Sequence, residues 1–583
     1  MSNIQQLLTE HIAIWTTADT AKRSGRGRSS NNADSVYGIK KLRELILELA
    51  VRGKLVLQDT NDEPTNELLK RIRIKKDKQI IEGKDRKNKL LPPITEEEKP
   101  FILPQGWEWV RLGSLGYTQT GSTPSKSNSE LFGADVPFIK PGDIYNNYVD
   151  YNNEGLSTKG VEISGRIAPA NSLLMVCIGT IGKCNLIDKP CSFNQQINSI
   201  TPFLLNSAYL LNALRSRYFQ TKAWSISSST TIPILNKGNW EEIIVPIPPL
   251  SEQDRIAAKV KELMSLCDQL ETQQNNAAEA HEKLVSHLLG TLTQSQNAED
   301  FSENWQRIAT HFDILFTTEE SIDSLKQTLL QLAMMGKLVP QDSNDEPARK
   351  LLKRIQAEKA KLVDVGKINK DKPLSPISED EKPFVLPSGW EWTRMINCAK
   401  QITDGEHLTP QRTIDSTQIP LVTAKNVRDG NIDYGNTDYV NFDVATKCWK
   451  RCKPEVNDIL IVSVGATIGR LTIINEHRDM VIVRSVTLIK PLLINIPYLA
   501  LSLRSPILQK SIWKGVKQNA QPCLYLSVSN NLPIPVPPLF EQQRIVTKVE
   551  ELMALCDQLK SHIAKANQLK QKLADVIVEQ VVA

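Results

Sequence analysis

Apolar residues recur in steps of four and three along two stretches of the chain. One stripe runs through Ile256, Val260, Leu263, Cys267, Leu270, Gln274, Ala277, His281, Leu284 and Leu288. The other runs through Ile545, Val549, Leu552, Cys556, Leu559, Ile563, Ala566, Lys570, Leu573 and Ile577. Sustained over several heptads, this spacing predicts two long amphipathic helices of coiled-coil type, each about 60 Å long at 1.5 Å per residue. A core helix would show the same period, but the length and the polar outer faces favour a protruding pair. Both stretches open on the same words, Pro248-Pro249-Leu250-Ser251-Glu252-Gln253 with Arg255-Ile256, and Pro537-Pro538-Leu539-Phe540-Glu541-Gln542 with Arg544-Ile545. Proline cannot donate to a sheet ladder and turns its predecessor away from helix, so each Pro-Pro should close a strand. Ser251 is expected to cap the helix that follows, with Glu252 in its first turn.

The two copies lie 289 residues apart. No solenoid period is that long, so a whole unit has been duplicated. A second repeated element agrees, at an offset of 283. A helical stripe through Leu42, Leu45, Ile46 and Leu49 leads to Gly53-Lys54-Leu55-Val56, then to Asp62-Glu63-Pro64 and Gly106-Trp107-Glu108-Trp109. It returns as Leu325, Leu329 and Leu332, Gly336-Lys337-Leu338-Val339, Asp345-Glu346-Pro347 and Gly389-Trp390-Glu391-Trp392. Asp62 and Asp345 suit N-terminal caps. The tryptophans are expected to anchor the following domain against its core rather than to stack on bases. Between these markers, residues 110–247 and 393–536 read as short β-rich runs such as Leu173-Leu174-Met175-Val176 and Ile459-Leu460-Ile461-Val462. They share a few anchors: Thr123-Pro124 with Thr409-Pro410, Gly179-Thr180-Ile181-Gly182 with Gly465-Ala466-Thr467-Ile468-Gly469, and Gly142-Asp143-Ile144 with Lys425-Asn426-Val427. The expected class is α+β, with two β-rich α/β domains separated by long antiparallel coiled-coil helices in an internal tandem duplication. The expected divisions are an extension at 1–35, a helical region at 36–100, a β-rich domain at 101–250, a central helical region at 251–382, a second β-rich domain at 383–539 and a last helix at 540–583.

Composition narrows the class. With 583 residues, 40% hydrophobic and 23% charged, the chain has room for several globular domains and is not of disordered type. No run of about 18 apolar residues spans a bilayer and no basic-then-apolar leader opens the chain, so a cytoplasmic protein is expected. Nine scattered cysteines fit reduced thiols. Cys448 and Cys452 lack a second pair or a nearby His, so no metal site is expected. A net charge of +5 permits a nucleic-acid partner without requiring one. The basic tract Lys22-Arg23-Ser24-Gly25-Arg26-Gly27-Arg28 reads as a solvated tether.

Catalytic signatures fail one by one. Gly179-Thr180-Ile181-Gly182-Lys183-Cys184 has two residues between its glycines where a phosphate loop needs four, and Cys where Ser or Thr would hold magnesium. His281-Glu282 with His287 puts the second His on another helix face from the first. There is no Gly-x-Gly-x-x-Gly fingerprint and no Asn- or Asp-Pro-Pro-aromatic motif of the amino-methylating enzymes. A non-catalytic role is expected. Two readings compete with it: an interaction scaffold of two adaptor domains, which would not bind duplex DNA, and a self-sufficient methylase or nuclease, which the missing motifs disfavour.

The twice-repeated layout, with its Pro-Pro-Leu-x-Glu-Gln-x-Arg-Ile, Gly-Lys-Leu-Val and Leu-Pro-x-Gly-Trp-Glu-Trp words, resembles the specificity subunits of Type I restriction-modification systems over about residues 36 to 583. The resemblance implies two target-recognition domains at opposite ends of paired helices, each reading half of a split, asymmetric DNA site. It also implies separate partner subunits that methylate adenine with S-adenosylmethionine, and others that translocate and cut unmodified DNA with ATP and Mg2+; the two like helical frames predict two copies of the methylating subunit. No cofactor is expected on this chain. Helices of about 60 Å exceed one DNA turn of roughly 34–36 Å, so separate half-sites are within reach. The steady heptads suggest that the helices act as a ruler for the spacer. Base reading needs donors and acceptors on loops. Candidates are Lys126, Lys140, Lys183, Gln195 and Gln196 in the first domain, and His407, Arg412, Lys425, Asn426, Arg428, Arg470 and Gln521 in the second. Phosphate contact is as open to each as base contact. Residues 390–540 hold 17 Lys or Arg against 12 Asp or Glu, so the second domain is the more basic.

Overall fold

The computed structural model describes residues 10–18, 36–81, 91–164, 166–228, 232–296, 298–371, 373–517 and 522–582. The basic tract at 22–28 and Gln521 lie outside them. The chain divides into two compact units, Met1–Ala278 with Lys565–Ala583, and Glu279–Ala564. Each combines helices with small sheets in one repeated pattern, so the α+β duplication expected from the sequence is present. Among the described residues no helix is long and apolar enough to cross a membrane.

In the first unit, strand Glu108–Arg111 pairs antiparallel with Ile244–Ile247 and so brings together the two ends of the β-rich region. Within it, one antiparallel sheet has the order Gly116–Thr120, Ile197–Pro202, Leu173–Val176, Cys184–Leu186. A second sheet has the order Gly155–Leu156, Phe132–Ile139, Ser192–Phe193, and its last pair is parallel. Leu173–Val176 is buried at every position. Alternation of side chains along a strand sends Leu173 and Met175 into one apolar cluster and Leu174 and Val176 into another. The second unit repeats this arrangement. Strand Glu391–Arg394 pairs with Pro533–Val536, and Ile459–Val462 sends Ile459 and Ile461 to one cluster and Leu460 and Val462 to the other. There the parallel pair is Ile419–Val422 with Val481–Ile482.

Helix Tyr37–Val51 buries Leu42, Leu45, Ile46 and Leu49 in the cluster that also holds Ile256, Val260, Leu263 and Cys267 of the central helix, Leu250–Gln294, and Ala574, Ile577 and Val578 of the C-terminal helix, Leu539–Val582. Ionic and polar ties reinforce it: Arg43 to Asp268 and Glu271, Tyr37 and Lys41 to Asp575. In the second unit helix Glu319–Met334 takes that place, with Lys326 on Asp557 and Lys560 on Asp323.

Four expectations are corrected. The heptad stripe is not continuous: Ala277 is exposed and Leu284 is 49% exposed, while burial resumes one position later at Val285, Leu289 and Leu292. The C-terminal helix departs from its stripe in part: Ala566 is exposed and Leu573 is 47% exposed, while Ile577 stays buried and is joined by Ala574 and Val578 beside the stripe. An α-helix drifts against a 3.5-residue repeat, and each half packs against different neighbours, so one register cannot serve both. The steady register invoked for a ruler is therefore absent. Asp345 does not cap helix Ala348–Asp364, whose N-cap is Pro347 without a side-chain bond. Ser251 lies exposed inside the central helix, whose first bond runs from the Gln253 N–H to the Pro249 carbonyl. Finally, the expected N-terminal extension is not merely appended. Helix Ile12–Thr17 buries Trp15 completely, and a Cβ on Gly38 would meet the Trp15 carbonyl oxygen at 2.4 Å.

Candidate nucleic-acid interface

The repeated words turn out to be buried polar ties that fix each β-rich domain to its helices. The indole Nε1 of Trp107 donates to Glu252 Oε2 at 3.0 Å, and that of Trp390 to Glu541 Oε2 at 3.0 Å. Both carboxyls are 1% exposed, and burial raises their pKa above the usual carboxylate value. Gln253 donates to the Pro248 carbonyl and accepts the Asn206 N–H; Gln542 does the same with Pro537 and Asn495. Arg255 pairs with Asp62 and Arg544 with Asp345, each at 2.6 Å. The two aspartates taken for caps thus hold the long helices. Arg111 grips Glu98, and Arg394 grips Glu381, with both carboxylate oxygens engaged in each pair.

On this frame the candidate residues gather at one edge of each three-stranded sheet, where the two parallel strands end. Strand Phe132–Ile139 runs into Lys140, and strand Ser192–Phe193 into Gln195 and Gln196; the Asn194 N–H donates to the Ile139 carbonyl at 3.0 Å, which holds the two loops side by side. Gln196 accepts the Cys177 N–H on its backbone, which brings in the glycine loop that carries Lys183. Lys183 donates to the Pro141 carbonyl at 2.8 Å and lies 5.3 Å above the Tyr145 ring. Lys140 is ion-paired with Glu154, and Gln195 accepts the Thr123 hydroxyl. Lys126 stands apart, exposed on the turn from Ser125 to Asn128.

The second domain repeats the edge. Lys425, Asn426 and Arg428 follow strand Ile419–Val422, and Arg470 follows the second glycine loop. Lys425 and Arg428 are exposed, Arg428 pairing with Asp433 at 3.3 Å. Asn426 must be withdrawn as a reader. It is 1% exposed, it accepts from Thr423, and its amide donates to Asp433, Asn436 and Thr437, so nothing remains for a base. His407 is held by Asp404 at 2.7 Å and contacted by Arg451. Arg412 pairs with Asp438 at 2.7 Å. Sequence reasoning passed over Arg484, which is exposed on the turn after strand Val481–Ile482 and equivalent to Gln195. The offset of 289 used for the helices, carried into the domains, maps one onto the other. It also passed over Tyr145 and Tyr148, because the search was for charged and amide side chains.

The edge therefore offers ammonium, guanidinium and amide donors on short, tied loops. Among the described residues no group of His, Cys, Asp and Glu is placed to hold a metal. The family model described as Type I restriction modification DNA specificity domain matches residues 104–280 and 412–571. The chain belongs to the Type I restriction-modification specificity subunits. It is 38% identical to the Type I restriction enzyme EcoAI specificity subunit of Escherichia coli and 36% identical to the EcoEI specificity subunit of the same species, in each case over 99% of both chains. A solved chain from a study of assembly and conformational transition of the type I R-M system aligns with 83% of this chain and 99% of its own, at 17% identity and a TM-score of 0.49. As a specificity subunit, the chain pairs two target-recognition domains with a shared helical frame. Of the ties described above, Trp107 with Glu252 and those of Gln253 and Gln542 fall wholly within the matched segments.

Proposed function

We propose that this specificity subunit is the non-catalytic DNA reader of its complex, with residues 101–250 and 383–539 each reading one half of a bipartite, asymmetric site. The observation that carries the reading is the paired strand edge. One set of buried ties, repeated at offsets of 283 and 289, presents equivalent loops whose exposed side chains differ, such as Gln195 and Arg484. A fixed frame with different readers suits two half-sites of different sequence. Regions 36–100, 251–382 and 540–583 form the frame on which two methyltransferase subunits dock, since one surface presented twice binds one partner twice. S-adenosylmethionine sits on those partners, which methylate adenine; ATP and Mg2+ serve the restriction subunits that translocate and cut unmodified DNA. The complex works in the cytoplasm.

The test is assembly of the full chain with its modification subunits, followed by binding to duplex DNA at several salt concentrations. Sequence-selective binding that weakens as salt rises is expected. Absence of selectivity in the assembled complex refutes the reading. Replacing residues 110–247 by the matching segment of a relative should change one half of the methylated site and leave the other; a change in both halves refutes independent reading.

A further inference from the structure

Beyond the parallel edge, each domain carries a β-hairpin of common construction, with like residues in the stems and unlike ones at the tips, where the hairpins reach solvent. In the first, Asp143 is 7% exposed and its carboxylate accepts the Lys140 N–H at 2.8 Å, while its carbonyl accepts the Asp150 N–H at 2.8 Å. In the second, Asn426 accepts the Thr423 N–H at 3.0 Å, and its carbonyl accepts the Asp433 N–H at 2.8 Å. The stems pair Ile144 with Val149, and Val427 with Ile432. The tips close by one bond each, Tyr145 N–H to the Tyr148 carbonyl at 2.9 Å and Arg428 N–H to the Asn431 carbonyl at 3.0 Å. Between those closures stand Tyr145-Asn146-Asn147-Tyr148 in one domain and Arg428-Asp429-Gly430-Asn431 in the other, all eight exposed.

The first tip is pre-organised. Tyr145 and Tyr148 are stacked, with ring centroids 4.6 Å apart and planes 13° apart, although they are 41% and 56% exposed. Arg215 donates to the Asn146 carbonyl at 2.7 Å and Asn185 to the Tyr145 carbonyl at 2.8 Å, so the backbone of the tip is held from beneath. A rigid hairpin that exposes a stacked tyrosine pair, with Lys183 over the ring of Tyr145, and two amide side chains is built as a contact surface, since exposed apolar area on an ordered tip marks a binding site. A two-stranded β-ribbon fits the DNA major groove. There, carboxamides match adenine, guanidinium matches guanine, and apolar faces match the thymine methyl.

We infer that these two hairpin tips are the specificity-determining readers of the two half-sites, entering the major groove as equivalent ribbons. Residues 145–148 read an A·T-containing step through Asn146, Asn147 and the tyrosine faces, and Arg428 with Asn431 reads a guanine-containing one. The inference rests on the proposed DNA-reading function and names the elements that perform it. The test uses the full chain in its modification complex. In one variant the first tip receives the residues of the second, Tyr145→Arg, Asn146→Asp, Asn147→Gly and Tyr148→Asn, a change that leaves the backbone carbonyls held by Arg215 and Asn185 in place. Methylation mapping should show the first half-site altered and the second kept. Both half-sites kept at full methylation overturns the inference. Where that variant methylates nothing, Asn147→Ala decides by binding to a panel of single-base-substituted duplexes. Loss of roughly tenfold discrimination at one base pair of one half-site is expected. Equal weakening on every sequence marks a mere backbone contact and overturns the inference. A native complex that shows no selectivity at all is a different result and refutes the DNA-reading function itself.

Discussion

Where the helix before the Gly-Lys-Leu-Val word meets its β-rich domain, the first unit is filled and the second is hollow. In the first, Tyr218 donates its N–H to Glu48 at 2.8 Å and its hydroxyl to the Ile244 carbonyl, and it packs edge-on against Phe101 and Trp109. Arg52 lies 4.3 Å above the Phe101 ring. The matching residues of the second unit are Gln331, Met335, Phe384, Trp392 and Ile507. Phe384 still meets Trp392 at 5.1 Å, but a cleft of about 970 Å³ opens, lined by Met335, Phe384, Ile507, Lys510 and Val528 among others. By contrast the tryptophan–glutamate and arginine–carboxylate ties are the same in both units. The duplication has kept the ties on the buried carboxyls of Glu252 and Glu541, whereas Glu48, Arg52 and Tyr218 are replaced together by Gln331, Met335 and Ile507, so that no partner is left stranded. The reason is energetic: an unsatisfied buried group costs its full desolvation, whereas an open cleft wets.

The largest test of that contrast removes the shared ties. Trp107→Ala and Trp390→Ala should each destabilise their own unit by about 3–5 kcal/mol, read by hydrogen exchange in helices Tyr37–Val51 and Glu319–Met334. Similar costs are expected in the two units; a large cost in only one breaks the equivalence. The differing site should answer asymmetrically. Tyr218→Ile loses hydrogen bonds and ring contacts worth about 2–3 kcal/mol. Ile507→Tyr with Met335→Arg rebuilds the filled version and should stabilise the second unit by about 0.5–1.5 kcal/mol. Destabilisation by that pair would show that the cleft is shaped for something else.

Acid separates the two kinds of carboxylate. Arg111 beside Glu98 lowers its pKa, and Arg394 beside Glu381 lowers that one to about 2, against an ordinary 4.5. Their contribution is present above the ordinary value and disappears as pH falls through each lowered pKa, which for Glu381 is about 2. Burial raises Glu252 and Glu541, so the part they contribute through titration is lost as pH rises past the ordinary value. In unfolding curves recorded against pH, Glu381→Gln should destabilise at pH 7 and converge on the native protein in acid. Glu252→Gln keeps an acceptor for Trp107 and should be least harmful at neutral pH. The reverse order would contradict the assignment. The smallest effect is expected on the helices, where Arg43 bridges Asp268 and Glu271 and its counterpart Lys326 holds Asp557. Lys326→Arg should change stability by less than about 0.5 kcal/mol, because both groups meet solvent.

Much of this was legible in the chain itself. Leu42, Leu45, Ile46 and Leu49 announce their helix by spacing, and Leu173–Val176 its buried strand by an unbroken apolar run, because side-chain period is a local property. The repeat of whole words at 289 and 283 residues revealed two like units. Spacing failed where one helix serves two environments. Ala277 and Leu284 lie on the extrapolated stripe, yet Val285 and Leu289 are buried, because the neighbours that choose the inner face are distant in sequence. Only the tertiary structure could assign the polar words. Asp345 reads as a cap until Arg544 arrives from 199 residues away, and Asn426 reads as a base contact until the turn it closes uses every donor it has. Local sequence fixes which conformations are cheap, but the partner of a polar group is whatever the fold carries to it, and here those partners hold the frame.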